Sequence, residues 1–368
     1  MELGARKVMN LPVTPPVEPM LARLVDQLPT GWWYEPKWDG FRAVVFRAGS
    51  EVLIESRNNR PMARYFPEVV QAVQQALPER SVVDGEIVVA NPDDGKLDFF
   101  SLQQRLHPAA SRVELLAAQT PATLIVFDLL ALGDEDLRPV AFKERRHRLE
   151  SLLEDGPSSV ALTPLTVDID EAEGWFAQFE GAGLDGIIAK HPDSTYQAGK
   201  RVMAKLKHDR TADCVVVGYR THKSSSDAVG SLLLAVYGDE AEPVHEWETM
   251  FGGLIPIGVA ASFPAARRRE LFTELAPYVV DLAEHPWAGV AAEAADYPGS
   301  RWNPDKDLSF TPLRPELVAE VRFNQLDGGR LRHPAQFLRW RPDRDPLSCR
   351  FDQLEATSSF GLGDILRR

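Results

Sequence analysis

The sequence predicts an α+β fold in two parts, antiparallel sheets with flanking helices over residues 1–208 and a small β-barrel over 209–368. Three observations carry this. Long β-branched runs alternate with helical patterns in the first half. The polar stretch "HDRTAD" (208–213) breaks that pattern, and beyond it the runs are short and separated by Gly, Ser and Pro. The 368 residues, 44% hydrophobic and 26% charged, suffice for two cores of an ordinary globular kind.

In the first half, "FRAVVFRA" (41–48), "SVVDGEIVVA" (81–90) and "TLIVFDLLAL" (123–132) predict strands, being rich in the residues that suit a pleated, buried surface. Between them, "YFPEVVQAVQQAL" (65–77) and "FKERRHRLESLLE" (142–154) predict helices from the spacing of their apolar positions. "LDGIIAKH" (184–191) and "VMAKLKH" (202–208) predict two further short strands. In the second half the predicted strands are "DCVVVGYR" (213–220), "GSLLLAVYG" (230–238), "VHEWETMFGGL" (244–254) and "LVAEVRFNQL" (317–326). One charged helix, "FPAARRRELFTELAP" (263–277), interrupts them. Several short strands with turn signals and one helix suit an OB-fold barrel. The Pro/Ala/Glu-rich piece from 285 to 315 reads as a surface excursion, and 208–213 as a hinge.

Composition removes several classes of function. No apolar run reaches bilayer length, and the start "MELGARKVMNLPVTPPVEPM" lacks the apolar core of a signal peptide. Cys214 and Cys349 are too few for a disulfide framework or a zinc cluster and read as inert thiols, so a reducing cytoplasm is expected. A net charge of −13 argues against a nucleic-acid partner, although net charge leaves room for a local basic groove. "GGRLRHPAQFLRWRPDR" (328–344) supplies one candidate, with Arg330, Arg332, Arg339, Arg341 and Arg344 and no acid before Asp343.

Chemistry concentrates around Lys37 in "YEPKWDGFR" (34–42). Alone, Lys-x-Asp-Gly is a weak signal. It is followed in order by Arg57 in "IESRNN", Glu86 in "VVDGEIVV", Asp185 and Lys190 in "LDGIIAK", and Lys205 and Lys207 in "AKLKH". Each charge lies in or beside an apolar run, where burial without a partner is costly, so the series predicts a shared polar cleft.

With Phe127 in "LIVFDLL", this series resembles the nucleotidyltransferase superfamily of ATP-dependent DNA ligases, RNA ligases and mRNA capping enzymes. The wording "EPKWDGFR" and "RHPAQFLRWRPD" is most similar to small bacterial ATP-dependent ligases, the stand-alone ligase C type and the ligase module of ligase D. The resemblance covers almost the whole chain. It implies an adenylation (nucleotidyltransferase) domain followed by an OB-fold domain. The implied activity is sealing of 5′-phosphate/3′-hydroxyl nicks in DNA repair, through a lysine–AMP intermediate and a DNA-adenylate. ATP and Mg2+ (or Mn2+) are the implied cofactors, nicked duplex DNA the substrate and a monomer the working state.

Carried over position by position, the resemblance makes Lys37 the adenylylated nucleophile. An amine attacks only when deprotonated, which nearby cations favour; Lys205 and Lys207 would serve that end while holding the α-phosphate. Glu35 would lie beside the adenine edge, with its backbone reading the exocyclic amine, and Phe127 would stack on the purine or pack in the core. Arg42 and Arg57 would hold ribose and phosphates, with Glu86 on the ribose hydroxyls. Asp185 and Glu86 are the metal candidates, as hard oxygen donors. The family usually has glutamate where this chain has Asp185. Asp39 suits either a hydrogen bond within its turn or metal contact, and Lys190 either a phosphate or a solvated strand end. Met203 stands where the family tends to have tryptophan, and takes a packing role. Arg339 and Arg341, which alternation puts on one face of a strand, would orient the leaving pyrophosphate once the second domain closes. Lys223 and Arg267–Arg269 are either phosphate-contacting surfaces or plain solvent faces.

An RNA ligase or a GTP-using capping enzyme shares the lysine chemistry, but the arginine-rich ending favours a DNA ligase. With 36 residues ahead of Lys37, a nicotinamide-recognition domain is not expected. A decayed binding module would have lost Lys37 or a phosphate lysine, and none is missing.

Overall fold

The computed structural model describes residues 9–154, 157–179, 182–208, 210–238, 253–288, 309–324, 326–327, 329–354 and 360–367. They divide into two compact units, Met1–His208 with Ala356–Arg368, and Asp209–Glu355.

Two sheets build the first unit. One runs β4 (Glu51–Ser56), β3 (Phe41–Ala48), β5 (Arg80–Val89), β6 (Ala122–Leu132) and β7 (Glu135–Asp136), with β8 (Val160–Leu162) paired to β6. The other runs β1 (Leu21–Leu24), β10 (Arg201–Leu206), β9 (Ile187–Lys190) and β2 (Trp33–Pro36). Most pairings are antiparallel, as expected, but β1–β10 and β6–β8 are parallel. Those pairs depend on "LARL" and "VAL", too short to show a period of two. Helices α1 (Pro67–Ala76) and α4 (Phe142–Leu153) were legible; α2 (Phe99–Gln104), α3 (Ala110–Gln119) and α5 (Ile169–Gln178) were not.

Alternation along the strands sorts the core and creates the site. Val83, Ile87 and Val89 of β5 turn to one cluster with Val69 and Val73 of α1 and Leu149 of α4. Val82, with Val44 and Phe46 of β3, turns to the opposite cluster, where Met20, Tyr196 and Met203 lie and Ile188 packs. Met203 therefore has the packing role expected of it. On this second face β5 also carries Asp84 and Glu86, and β3 carries Arg42, by the same period of two.

The second unit is a closed barrel in the order β11 (Arg210–His222), β12 (Ser225–Tyr237), β13 (Leu254–Ala261), β17 (Ala335–Trp340) and β14 (Thr311–Phe323). Two short strands, β15 (Leu326–Asp327) and β16 (Arg330–Leu331), form a side hairpin. Helix α6 (Ala265–Leu275) buries Leu271 and Leu275 in the barrel core. This is the OB-like arrangement expected.

Three expectations about the second half change. Because β11 begins at Arg210, most of the stretch predicted as a hinge is already strand, stapled to β14 from Arg210↔Phe323 onward. The expected strand at 244–254 lies outside the described residues except for its end, and "LIPIGVAA" (254–261) forms β13 instead. Residues 356–368 belong to the first unit, so the barrel unit ends at Glu355 rather than running to 368. The cause is apolar: Ile365 of α7 (Leu362–Leu366) joins the cluster of Trp175, Phe179 and Leu184, with Phe360, Leu362 and Leu366 packed on it. The Leu362 N–H also donates to the Gly95 carbonyl at 2.7 Å. Among the described residues no helix is long and apolar enough to cross a membrane. Both cysteines are buried thiols.

Candidate active site

Lys37 follows β2 and is set by a backbone pair across to the entry of β9. Its N–H donates to the Gly186 carbonyl at 2.8 Å, and Asp185 N–H donates back to the Lys37 carbonyl at 3.0 Å. Gly186 is obligatory here: its φ is +129°, and a Cβ would stand 2.0 Å from the Leu206 carbonyl oxygen. The close approach brings the ends of β2, β9 and β10 together. Lys37 Nζ then lies 2.5 Å and Lys207 Nζ 2.7 Å from the same oxygen, Asp185 Oδ2. Burial would raise the Asp185 carboxyl, but Lys37 and Lys207 outweigh it and hold the group below the usual range. Lys205, two residues before Lys207 on the same face, is pulled down by burial first and then by Lys207 and Lys37. The structure thus brings together Lys37, Asp185, Lys205 and Lys207.

Glu86 sits on β5 opposite Arg42 of β3. Burial, against the pull of Arg42 and Lys37, pushes its carboxyl up to about 7, with Asp39 and Asp84 adding to the rise. Asp39 is therefore part of the same electrostatic neighbourhood. Glu86 and Asp185 are the metal candidates present, and among the described residues no three His, Cys, Asp or Glu side chains are grouped to hold an ion.

Several expected ligand contacts are taken up within the protein. The Arg42 fork donates to both oxygens of Asp84, at 2.6 and 2.7 Å, and stacks 4.4 Å over the Phe127 ring. Tyr196 Oη donates to the same Asp84 at 2.7 Å. Arg42 thus braces the sheet, because Asp84 is fully buried and needs its counter-charge. Lys190 is no solvated strand end: its side chain is 2% exposed. It lies 2.8 Å from Glu35 Oε2, donates to the Phe127 carbonyl at 3.0 Å and sits between the rings of Phe127 and Phe142. The Glu35 side chain is buried with Lys190 and Arg146, and burial raises its carboxyl against both cations. Phe127 is itself buried, flanked by Arg42 and Lys190. Arg57 is exposed in the turn after β4.

Sequence reasoning missed the buried partners. Asp84, Asp128, Arg145, Arg146 and Tyr196 all support the site. Arg145 donates to both Asp128 oxygens, at 2.7 and 2.9 Å, with both side chains almost fully buried. The signal was available, since "VVDGE" and "VFDLL" each set an aspartate inside an apolar run.

In the second unit Arg339 pairs with Glu320 at 2.6 Å, and Arg341 with Asp213 at 3.1 Å and Asp343 at 2.8 Å. Both arginines reach Glu320, but simple alternation does not hold: Arg341 lies one residue past β17, and a register shift within the strand packs Phe337 rather than Leu338 on the barrel core beside Trp340. Arg268 donates to the Val229 and Gly230 carbonyls, and Arg267 pairs with Glu270 and Glu274. Arg220, His222, Lys223 and Arg268 line a hollow of about 810 Å³ on this unit.

Two packed sheets set a lysine on a shared carboxylate beside two more lysines, and an OB-like barrel follows in the chain. A family model described as the ATP dependent DNA ligase domain matches residues 19–207, and one described as the ATP dependent DNA ligase C terminal region matches 225–344. DNA ligase C2 of Mycolicibacterium smegmatis is 57% identical over 355 residues, 95% of this chain and 97% of that protein. DNA ligase C of Mycobacterium tuberculosis is 54% identical over 367 residues, 97% of this chain and 99% of that one. Among solved structures, a Lig E DNA ligase covers 88% of this chain and 98% of its own, with a TM-score of 0.53 at 18% identity, a likeness of fold. The chain belongs to the ATP-dependent DNA ligases.

Proposed function

We propose that this ligase seals 5′-phosphate/3′-hydroxyl nicks in duplex DNA, in repair, by way of AMP carried on Lys37. The observation that carries the reading is the shared oxygen: Lys37 and Lys207 both rest on Asp185 Oδ2. Asp185 stands where incoming phosphates would compete for the same two ammonium groups. Lys207 and Lys205 take the α-phosphate, and Lys37, its proton lost, attacks the phosphorus. An N–P bond forms as the bond to pyrophosphate breaks. The DNA 5′-phosphate then takes the AMP from Lys37, and the 3′-hydroxyl displaces AMP to close the nick.

Phe127 and Lys190 form the floor under the purine, with Glu35 set by Lys190 and Arg146 at its edge. Arg339 and Arg341 act on the leaving pyrophosphate. The donors of Asp185 and Glu86 fit magnesium or manganese, since such an ion needs only one or two carboxylates beside water and phosphates. Burial raises Glu86 to about 7, with Asp39 and Asp84 adding to the rise, and a bound cation would favour its charged form. Bound there, the ion would spread the negative charge that develops on the phosphates. On the second unit, the hollow lined by Arg220, Lys223 and Arg268 suits contact with the DNA backbone. The enzyme works as a cytoplasmic monomer.

Incubation with ATP, GTP or NAD, followed by intact-mass analysis, tests the reading. AMP should be added from ATP alone, and Lys37→Ala should gain none. An adduct persisting in Lys37→Ala would remove Lys37 from its role.

A further inference from the structure

The chain leaves the first unit after His208 and rejoins it at its end, through residues 356–368. Helix α7 is five residues long, too short to hold itself together in water. Burial fixes it. Ile365 is fully buried in the cluster that also holds Trp175, Phe179, Ala182 and Leu184. Phe360 meets the Phe179 ring edge to face at 5.7 Å. The same cluster contains Trp38, which follows Lys37 in the chain, while Leu184 precedes Asp185. Both members of the backbone pair that sets the site therefore have a neighbour in the cluster that Ile365 completes.

A second grip is polar. The loop between β5 and α2 turns at Gly95, whose φ is +71° and whose carbonyl accepts the Leu362 N–H at 2.7 Å. Two residues on, the Leu97 N–H donates to the Ala182 carbonyl at 3.1 Å. Gly183 permits that approach, since its φ is +85° and a Cβ there would stand 2.8 Å from Leu97 Cβ. The loop thus links the tail to the segment that ends at Asp185.

We propose that α7 is a positioning element for adenylylation of Lys37. Ile365 and the Leu362 N–H brace residues 182–185, and so hold Asp185 Oδ2 where it serves Lys37 and Lys207 together. The catalytic unit is complete only when the chain beyond the barrel has returned to it. This rests on the reading that Lys37 carries AMP beside Asp185. It goes further in giving "FGLGDILRR" (360–368), which lies beyond the matched ligase C terminal region, a part in that step.

The test is single-turnover formation of lysine–AMP by the full chain over a range of ATP, well below the melting temperature. Ile365→Ala should lower the maximal rate about tenfold, as a small misplacement of a catalytic group does, and leave the KM for ATP within about twofold. Ile365→Val, which keeps most of the buried volume, should recover most of the rate. Gly361→Ala leaves the apolar cluster intact, but its Cβ would stand 3.2 Å from the Asp94 and Gly95 carbonyl oxygens, so it should slow the step to a lesser extent. Gly363→Ala, exposed on the same helix with nothing within 4 Å, should match the wild type. In the Asp185→Asn background Ile365→Ala should add little, because both changes act through one carboxylate. A wild-type rate in both Ile365→Ala and Gly361→Ala would overturn the proposal. So would a raised KM with an unchanged maximal rate, or strictly multiplicative effects of Ile365→Ala and Asp185→Asn. If Asp185→Asn itself adenylylates at the wild-type rate, the reading of the site falls, a result distinct from a failure of α7 alone.

Discussion

The Lys190 ammonium lies 2.8 Å from Glu35 Oε2, and both side chains are almost wholly withdrawn from water. A pair of this kind adds little net stability over an apolar substitute, yet breaking it strands a buried charge. Lys190→Met should therefore cost roughly 3–5 kcal/mol, while the double variant Glu35→Gln/Lys190→Met should recover much of that loss. Urea unfolding of the wild type, Glu35→Gln, Lys190→Met and the double variant measures it. A single variant as stable as the double one would mean that the ion pair is not the source.

Asp185 carries the argument about charge at the lysine. Asp185→Asn keeps the shape but loses the counter-charge to Lys37 and Lys207. Lysine–AMP formation should slow by about 10²-fold, the scale of a few kcal/mol of lost electrostatic stabilisation. Asp185→Glu should retain activity, since it restores the longer carboxylate usual in the family. Rapid-quench measurement of adduct formation separates these outcomes, and a wild-type rate in Asp185→Asn would make the residue merely structural.

Gly186 tests the backbone geometry independently of charge. Any Cβ there meets the Leu206 carbonyl oxygen at 2.0 Å, so Gly186→Ala should push β9 from β10 and part Asp185 from Lys207. Adduct formation should fall at least as far as in Asp185→Asn. Gly174→Ala, in helix α5 with nothing nearer than a Gln178 side-chain atom at 3.8 Å, is the control. It should be neutral or gain up to about 1 kcal/mol.

His285 should make the barrel unit pH-sensitive. It is buried with Nε2 2.9 Å from the Val217 carbonyl, and Nδ1 accepts from the Trp287 N–H at 3.1 Å, an arrangement that needs the neutral ring. Burial, only partly offset by the Val217 carbonyl, lowers its pKa from 6.5. The unfolded chain thus binds this proton more readily than the folded one. The contribution is present above 6.5 and is lost as pH falls through the lowered folded value. Urea midpoints at pH 7.5 and 5.5 should fall further for the wild type than for His285→Gln. Equal falls would clear His285 of the effect.

What the sequence determined by itself was periodicity and order. β3, β5 and β6 came within a residue or so of their observed ends because "FRAVVFRA", "SVVDGEIVVA" and "TLIVFDLLAL" are long and dense in residues that suit buried strands. The order of Lys37, Glu86, Asp185, Lys205 and Lys207 also stood in the chain, since residue type and spacing are properties of the chain alone. Tertiary structure decided who is paired with whom. Arg42 read as a ribose or phosphate ligand, and Lys190 as either a phosphate ligand or a solvated strand end; neither reading named Asp84 and Glu35, 42 and 155 positions away in sequence, as their partners. Ion pairs form between groups that folding brings within a few ångströms; an aspartate inside an apolar run signals that a partner is needed, but nothing local says which one. The same reason returned α7 to the first unit, where its Ile365 finds an apolar cluster assembled from distant segments.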